Sequence, residues 1–360
     1  MERNDMMANV SLSKFLGYVV LAVAVVALLW LIWTVLDILF LAFAGVLLAV
    51  FLRILVTLLQ RVSLLPDQVA LAVVILLLVL LLGFTGWFLA PRLSRDLLQL
   101  LNSVVPAVRN LADRLQQYTW LQTFINQTLP PAQLSSASGT LLLGLPGTLS
   151  STLSLLADVI YILFIGLFLA GSPQTYYDGL LQLTPPTRRL RLRDVLDELI
   201  ATLRWWILGQ LFSMIVIGTL TGIGLWLLDM PFALALGVIA GLLEFIPFIG
   251  PILTGALAGL FALMIGPWQA LYVILLYTAI QQFESNLLIP LVHQYTVSLP
   301  PVLTLTAFVI IGSLFGFSGI LVATPLVAVV VVLIKMLYIQ DVLGGVPNLP
   351  RKLLRGRSRA

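Results

Sequence analysis

From residue 205 to residue 334 the chain contains no lysine and no arginine, and its only acidic residues there are Asp229, Glu244 and Glu284. A stretch so poor in charge cannot cover a water-facing surface, since soluble domains carry charge on about a quarter of their residues. The rest of the chain follows suit: 61% of its 360 residues are hydrophobic, 9% are charged, and the mean hydropathy is +1.11. Apolar runs over residues 15–33, 69–90, 153–170 and 206–228 each approach the roughly 17 to 25 residues that a transmembrane helix requires. The reading is an all-α polytopic membrane protein of about eight spans.

Basic residues give an orientation. With spans near 15–33, 36–52, 69–90 and 152–171 and a cytoplasmic N-terminus, 15 of the 19 Lys and Arg fall on the cytoplasmic side. The other four, Arg92, Arg95, Arg109 and Arg114, share one external loop. Cationic residues are retained on the cytoplasmic side during insertion, so both termini are expected inside. The first two runs read as a membrane hairpin and not as a cleaved signal peptide. The same bias accounts for the net charge of +4 without nucleic acid, and the basic tail 341–360 reads as a stop-transfer flank facing lipid headgroups.

Polar stretches divide the chain. Residues 1–90 supply N-terminal membrane helices, and 91–150 form an external amphipathic region. In that region Leu97, Leu101, Val104, Val108, Leu111 and Leu115 recur at helical spacing and make one apolar face. That face is expected to pack on the membrane surface or on a neighbouring protomer, the protomer contact being favoured. Residues 151–206 hold a fourth helix and a cytoplasmic amphipathic helix that Thr187 could cap. Residues 207–340 form the transport core, and 341–360 the tail.

Length exposes the core's peculiarity. Residues 232–266, as one straight helix, would measure about 52 Å at 1.5 Å per residue, against a hydrocarbon core of about 30 Å. This segment must break, and "EFIPFIGPILTG" is where it can. Pro247 and Pro251 lack an amide donor and clash with the preceding turn, while Gly250 permits close approach. Residues 301–338 are again too long, and "GSLFGFSGILVATP" interrupts them. Two interrupted segments in one chain point to a transporter's midplane site. Between them lies "QQFESNLLIP", with Gln281, Gln282, Glu284, Ser285 and Asn286 in a polar cluster that a lipid-facing helix would not tolerate. Glu244 and Glu284 are flanked by long apolar sequence, where a charge is expensive. With no basic residue nearby in sequence, at least one is expected to take up a proton or hold a coupling cation. Close helix packing by glycines and amides is the bland alternative, and it leaves both carboxyls unexplained.

These blocks carry a resemblance. "EFIPFIGP", "QQFESNLLIP" and "GSLFGFSGILVATPLVA" resemble the signature segments of the autoinducer-2 exporter family of bacterial permeases, and the similarity spans nearly the whole chain. Asp229 stands where a small residue is common in that family, and His293 is unfamiliar there. The resemblance implies a homo-oligomeric, multi-pass permease of the bacterial inner membrane with two re-entrant hairpins and a moving transport unit. Family members are similar to exporters of a small signalling molecule and also to cation–proton antiporters.

Three function classes compete. A secondary transporter, exporting a small polar organic molecule by alternating access or exchanging a cation for protons, fits the broken helices and the two carboxyls. A channel-like pore would use the same hairpins. An enzyme is disfavoured: there is no cysteine, His293 is the only histidine, and no H-E-x-x-H occurs, so a familiar nucleophile or metal scheme is missing. No G-x-x-x-x-G-K-[ST] loop is present, and no cofactor or metal is expected. Expected partners are membrane lipids and a small-molecule or ion substrate. The substrate or ion pathway is assigned to Glu244, Pro247, Gly250, Pro251, Gln281, Gln282, Glu284, Asn286, Pro290, Phe315, Gly316, Gly319 and Pro325.

Overall fold

A computed structural model of the chain describes residues 2–115, 149–246, 249–290 and 301–344. Every regular element among them is helical: α1 (Glu2–Gln60), α2 (Asp67–Leu115), α3 (Leu149–Gly171), α4 (Pro173–Gln182), α5 (Arg189–Leu227), α6 (Ala233–Leu243), α7 (Ile249–Ile265), α8 (Pro267–Phe283) and α9 (Pro301–Leu333). Two π-helical turns, Glu284–Leu288 and Ile334–Gln340, extend α8 and α9. Four stretches of the described residues are long and apolar enough to cross a membrane: Thr34–Gln60, Asp67–Trp87, Pro186–Leu227 and Gly319–Gln340. The pair Leu156–Gly171 and Pro173–Gln182, bent by 85°, makes a fifth if counted as one span. Side chains such as Leu82, Trp87 and Trp226 stay largely exposed, as lipid-facing residues do when the solvent is hydrocarbon.

The expected turn between residues 33 and 36 does not form. α1 runs unbroken, because the sequence there, "LIWTVLDILF", holds neither Gly nor Pro to stop it. The N-terminal hairpin is therefore corrected to one long helix. α2 likewise continues from the apolar run into the more polar residues beyond it, through Pro91 and Pro106. Thr187 does not cap α5: the helix starts after Arg188 with no side-chain cap. The charged amphipathic stretch and the following apolar run form a single helix, so the boundary at 206/207 falls inside α5. In the apolar stripe, the side chains of Leu101, Val104, Val108, Leu111 and Leu115 lie outside the described residues. Leu100, beside the stripe, is buried against Leu225, Met230 and Phe261, so this helix packs on its own chain there.

Small residues let the helices close in. A methyl on Gly45 would lie 2.6 Å from Ile165, and one on Gly166 would lie 2.6 Å from Leu48, which brings α1 and α3 together. On α5 and α6, Gly218 and Gly222 face Gly237 and Gly241; a Cβ on Gly237 would meet the Gly222 Cα at 2.5 Å. Without a hydrophobic drive between helices in lipid, such backbone-to-backbone packing supplies the attraction.

Candidate functional site

α6 is 11 residues long and α7 is 17, so α6 falls well short of the roughly 17 to 25 residues of a full span. Their junction is the expected break. The last α6 amides bond normally, Glu244 N–H to the Ala240 carbonyl at 2.9 Å and Ile246 N–H to the Leu243 carbonyl at 2.9 Å. The chain then folds back, and Gly250 comes so close to the Leu243 carbonyl that a Cβ would sit 2.6 Å from it. Only glycine permits that approach. Pro247 lies outside the described residues. The tip is held from the side: Gln210 of α5 donates its amide to the Glu244 carbonyl oxygen at 2.6 Å, and Phe245 meets the Trp206 ring edge-on at 5.7 Å between centroids.

The second break lies in α9. Gly316 has φ 63° and ψ −146°, backbone that is nearly reserved to glycine. A Cβ on Gly312 would lie 2.8 Å from Ile320, and one on Gly319 would lie 2.7 Å from the Ile311 carbonyl. Eight helical residues span about 12 Å, so such contacts require the chain to double back at Gly316. Phe315 packs against Phe40 of α1 with the rings tilted by 37° and their centroids 4.1 Å apart. The two breaks also meet: Ile246 of the first is buried with Phe308 and Ala323 from both arms of the second.

Glu244 and Glu284 come together here, although 40 residues separate them in sequence. Glu244 is 3% exposed and Glu284 is 9% exposed, and their carboxyl groups lie in interaction range of each other. Glu284 begins the π-helical turn that follows α8; such turns insert one residue, re-aim side chains and recur at functional positions. Gln281 donates an amide N–H to Glu284 Oε2 at 3.1 Å, whereas Glu244 Oε2 is buried with no hydrogen bond. Two buried carboxylates in contact cannot both be charged. A proton on either carboxyl, or on both, removes that repulsion.

Beside Glu284 is a small cavity of about 10 Å³, lined by Ile217, Ala240, Pro251, Thr254, Tyr277, Ile280, Gln281 and Glu284. The polar cluster expected from sequence thus splits. Gln281 and Glu284 turn inward with Glu244 and Pro251, while Gln282, Asn286 and Pro290 are exposed, Asn286 donating to Gln282 at 3.1 Å. Phe315, Gly316 and Gly319 form the second break, and Pro325 is fully buried on its distal arm. His293 lies outside the described residues. Sequence reasoning passed over Gln210, Thr254 and Tyr277. Each is a polar residue within an apolar helix, and that was the available signal.

Apolar spans, two helices broken by Gly and Pro, and paired carboxyls buried between them define a helical membrane permease. The chain belongs to the AI-2E family of transporters: the family model, AI-2E family transporter, matches residues 19–339. YueF of Bacillus subtilis (strain 168), named as a transport protein, is similar at 26% identity over 277 residues, covering 74% of this chain and 75% of that protein. YrrI of the same organism, also named for transport, is 34% identical over 155 residues, 42% of this chain and 43% of its own. PerM of Escherichia coli (strain K12), named as a permease, is 27% identical over 191 residues, 51% of this chain and 53% of its own. These names indicate transport proteins rather than enzymes.

Proposed function

We propose that the protein is a secondary transporter of the bacterial inner membrane that exports a small, autoinducer-2-like polar organic molecule by alternating access, driven by protons that bind between Glu244 and Glu284. The observation that carries this reading is the meeting of two buried carboxyls from different elements, one on the α6–α7 tip and one on the π-turn after α8. A proton between them lets the tip rest against the turn. Its loss leaves two like charges in contact at low dielectric, and the tip is driven away. Because Ile246 is packed into the α9 hairpin, that displacement is passed to the second break at Phe315, Gly316 and Gly319. The sequence block 207–340 is the moving unit, and residues 1–90 with the external region form the frame of a homo-oligomer. A second reading, exchange of a cation for protons, is favoured by the size of the cavity, which is far too small for an organic solute.

Purified protein in liposomes tests the proposal. Flux of candidate solutes is measured with and without an imposed pH gradient, for the parent, Glu284→Gln and Glu244→Gln, from mildly acidic to mildly alkaline conditions. Each substitution keeps the shape and removes the exchangeable proton, so gradient-driven flux is expected to fall at least tenfold in both variants. Parent rate and parent pH dependence retained in both would sink the carrier role.

A further inference from the structure

At the end of α3 the chain turns through 85°, from Leu156–Gly171 into Pro173–Gln182. α3 has 23 residues, about 34 Å at 1.5 Å per residue, so it crosses a hydrocarbon core of about 30 Å unaided. An 85° turn at the end of such a helix sets α4 along the membrane surface. The α4 sequence, PQTYYDGLLQ, sorts into three stripes at helical spacing. Tyr177 and Leu181 face the protein: Leu181 is buried, and the Tyr177 hydroxyl donates to the Asp197 carboxylate of α5 at 2.8 Å. Gln174, Asp178 and Gln182 form a polar stripe and are all exposed. Tyr176, Leu180 and Leu183 form an apolar stripe, exposed by 43%, 48% and 84%. Two residues along a helix are about 200° of rotation, so the apolar stripe looks away from the polar one.

Arginines rim this helix. Arg188, Arg189 and Arg193 are exposed, and among the described residues none of them forms an ion pair. Arg189 reaches back over the end of α4, its Nε donating to the Thr184 carbonyl at 3.1 Å, which uses one of its five donors. Arg193 lies in interaction range of the Tyr177 hydroxyl. Arg191 is occupied elsewhere, by Met336, Gln340 and Asp341. From residue 173 to residue 193 the chain carries four arginines against one acid, Asp178. Asp194, Asp197 and Glu198 follow on α5, and Asp197 is engaged by Tyr177. A short helix with one apolar face, one polar face and a basic rim has the character of an element that lies in a membrane interface, where tyrosine is also favoured. Three partly exposed side chains present well under the roughly 800 Å² per partner of a stable protein interface, which argues for lipid over a second copy. We propose that α4 and the arginine turn after it form a docking surface for anionic phospholipid. Tyr176, Leu180 and Leu183 enter the acyl boundary, while Arg188, Arg189 and Arg193 hold headgroup phosphates. Neither Glu244 nor Glu284 takes part, so this surface stands or falls apart from the carrier role.

The full chain has no cysteine, so Leu180→Cys and Asp178→Cys each accept one nitroxide spin label. In vesicles of phosphatidylglycerol and phosphatidylcholine, the label at 180 should be reached by dissolved oxygen and shielded from a water-soluble nickel chelate. The label at 178 should behave in the opposite way. Nickel access at both positions would overturn the interfacial placement, and so would nickel shielding with oxygen access at both. Exclusion of both reagents at 180 would reveal protein over this face and overturn the lipid assignment. Headgroup preference is read separately, as lipid retained on the detergent-purified protein in native mass spectrometry, with phosphatidylglycerol against phosphatidylcholine of identical chains. An arginine near an anionic surface is worth about fivefold in binding. Replacing Arg188, Arg189 and Arg193 together with Gln should therefore lower the phosphatidylglycerol preference at least tenfold, whereas replacing all three with Lys should keep it. Inorganic phosphate at constant ionic strength should not displace the lipid. Equal retention of the two lipids by the parent would overturn the proposal, as would parent preference in the Gln variant, loss of preference in the Lys variant, or displacement by phosphate.

Discussion

Replacing Gly250 with alanine is the most direct test of the α6–α7 break. The added Cβ would lie 2.6 Å from both the carbonyl carbon and oxygen of Leu243 and 2.8 Å from the Glu244 nitrogen. Contact becomes ordinary only at 3.4 Å, so the tip must open by about 0.8 Å, a shift on the scale of overpacking. The obstructing atoms are backbone, so no side chain can rotate away to relieve the clash. Forcing a methyl into a well-packed place costs about 1–3 kcal/mol. Alanine's better helix propensity returns at most about 1 kcal/mol, so a net loss is expected. Gly259→Ala is the matched comparison: it lies within the same helix, and its Cβ would meet nothing within 4 Å. That variant should gain about 0.5–1 kcal/mol. Thermal unfolding in detergent, followed by intrinsic tryptophan fluorescence, should therefore rank Gly259→Ala above the parent and Gly250→Ala several degrees below it. Equal midpoints for Gly250→Ala and the parent would refute the folded-back tip.

Two further substitutions probe the supports of the hairpins. Gln210→Leu removes the donor to the buried Glu244 carbonyl and leaves that oxygen unpaired, a loss of about 1–3 kcal/mol; an unchanged unfolding midpoint would show that the tip does not need this bond. Arg191 ties the start of α5 to the end of α9, bonding the Met336 carbonyl at 2.7 Å, Gln340 at 2.9 Å and the Asp341 carboxylate at 2.8 Å. These side chains are about a third exposed, 33% and 39%, so solvent screening holds the Arg191–Asp341 interaction to about 0.5–1 kcal/mol. A double-mutant cycle of Arg191→Gln and Asp341→Asn should return a coupling of that size that shrinks with added salt, and strict additivity would deny the tie.

Much of this architecture was written in the sequence, and for a reason particular to membranes. A segment longer than the bilayer is thick must tilt or break, so the excess length of residues 232–266 and 301–338 announced both interruptions, and Gly316 and Gly250 marked where. The same logic fails at residue 33, where a long apolar run holds neither Gly nor Pro and the helix simply continues. Length tells how many spans would fit; only breakers tell where one ends. The polar residues obey a different rule. Glu244 and Glu284 were conspicuous singly because a carboxyl in hydrocarbon is expensive, but nothing local told that they share one place. Their meeting depends on the α6–α7 tip reaching the π-turn after α8, and a π-turn has no sequence signature as strong as a proline. Gln282 and Asn286 show the converse: polar residues beside Gln281 and Glu284 in sequence, they bond each other on the exposed face. Gln210, Thr254 and Tyr277 escaped because one hydroxyl or amide in an apolar helix is commonly satisfied by its own backbone, as Thr278 is by Ile274. What distinguishes Thr254 and Tyr277 is where the fold puts them, around one small cavity with Gln281 and Glu284.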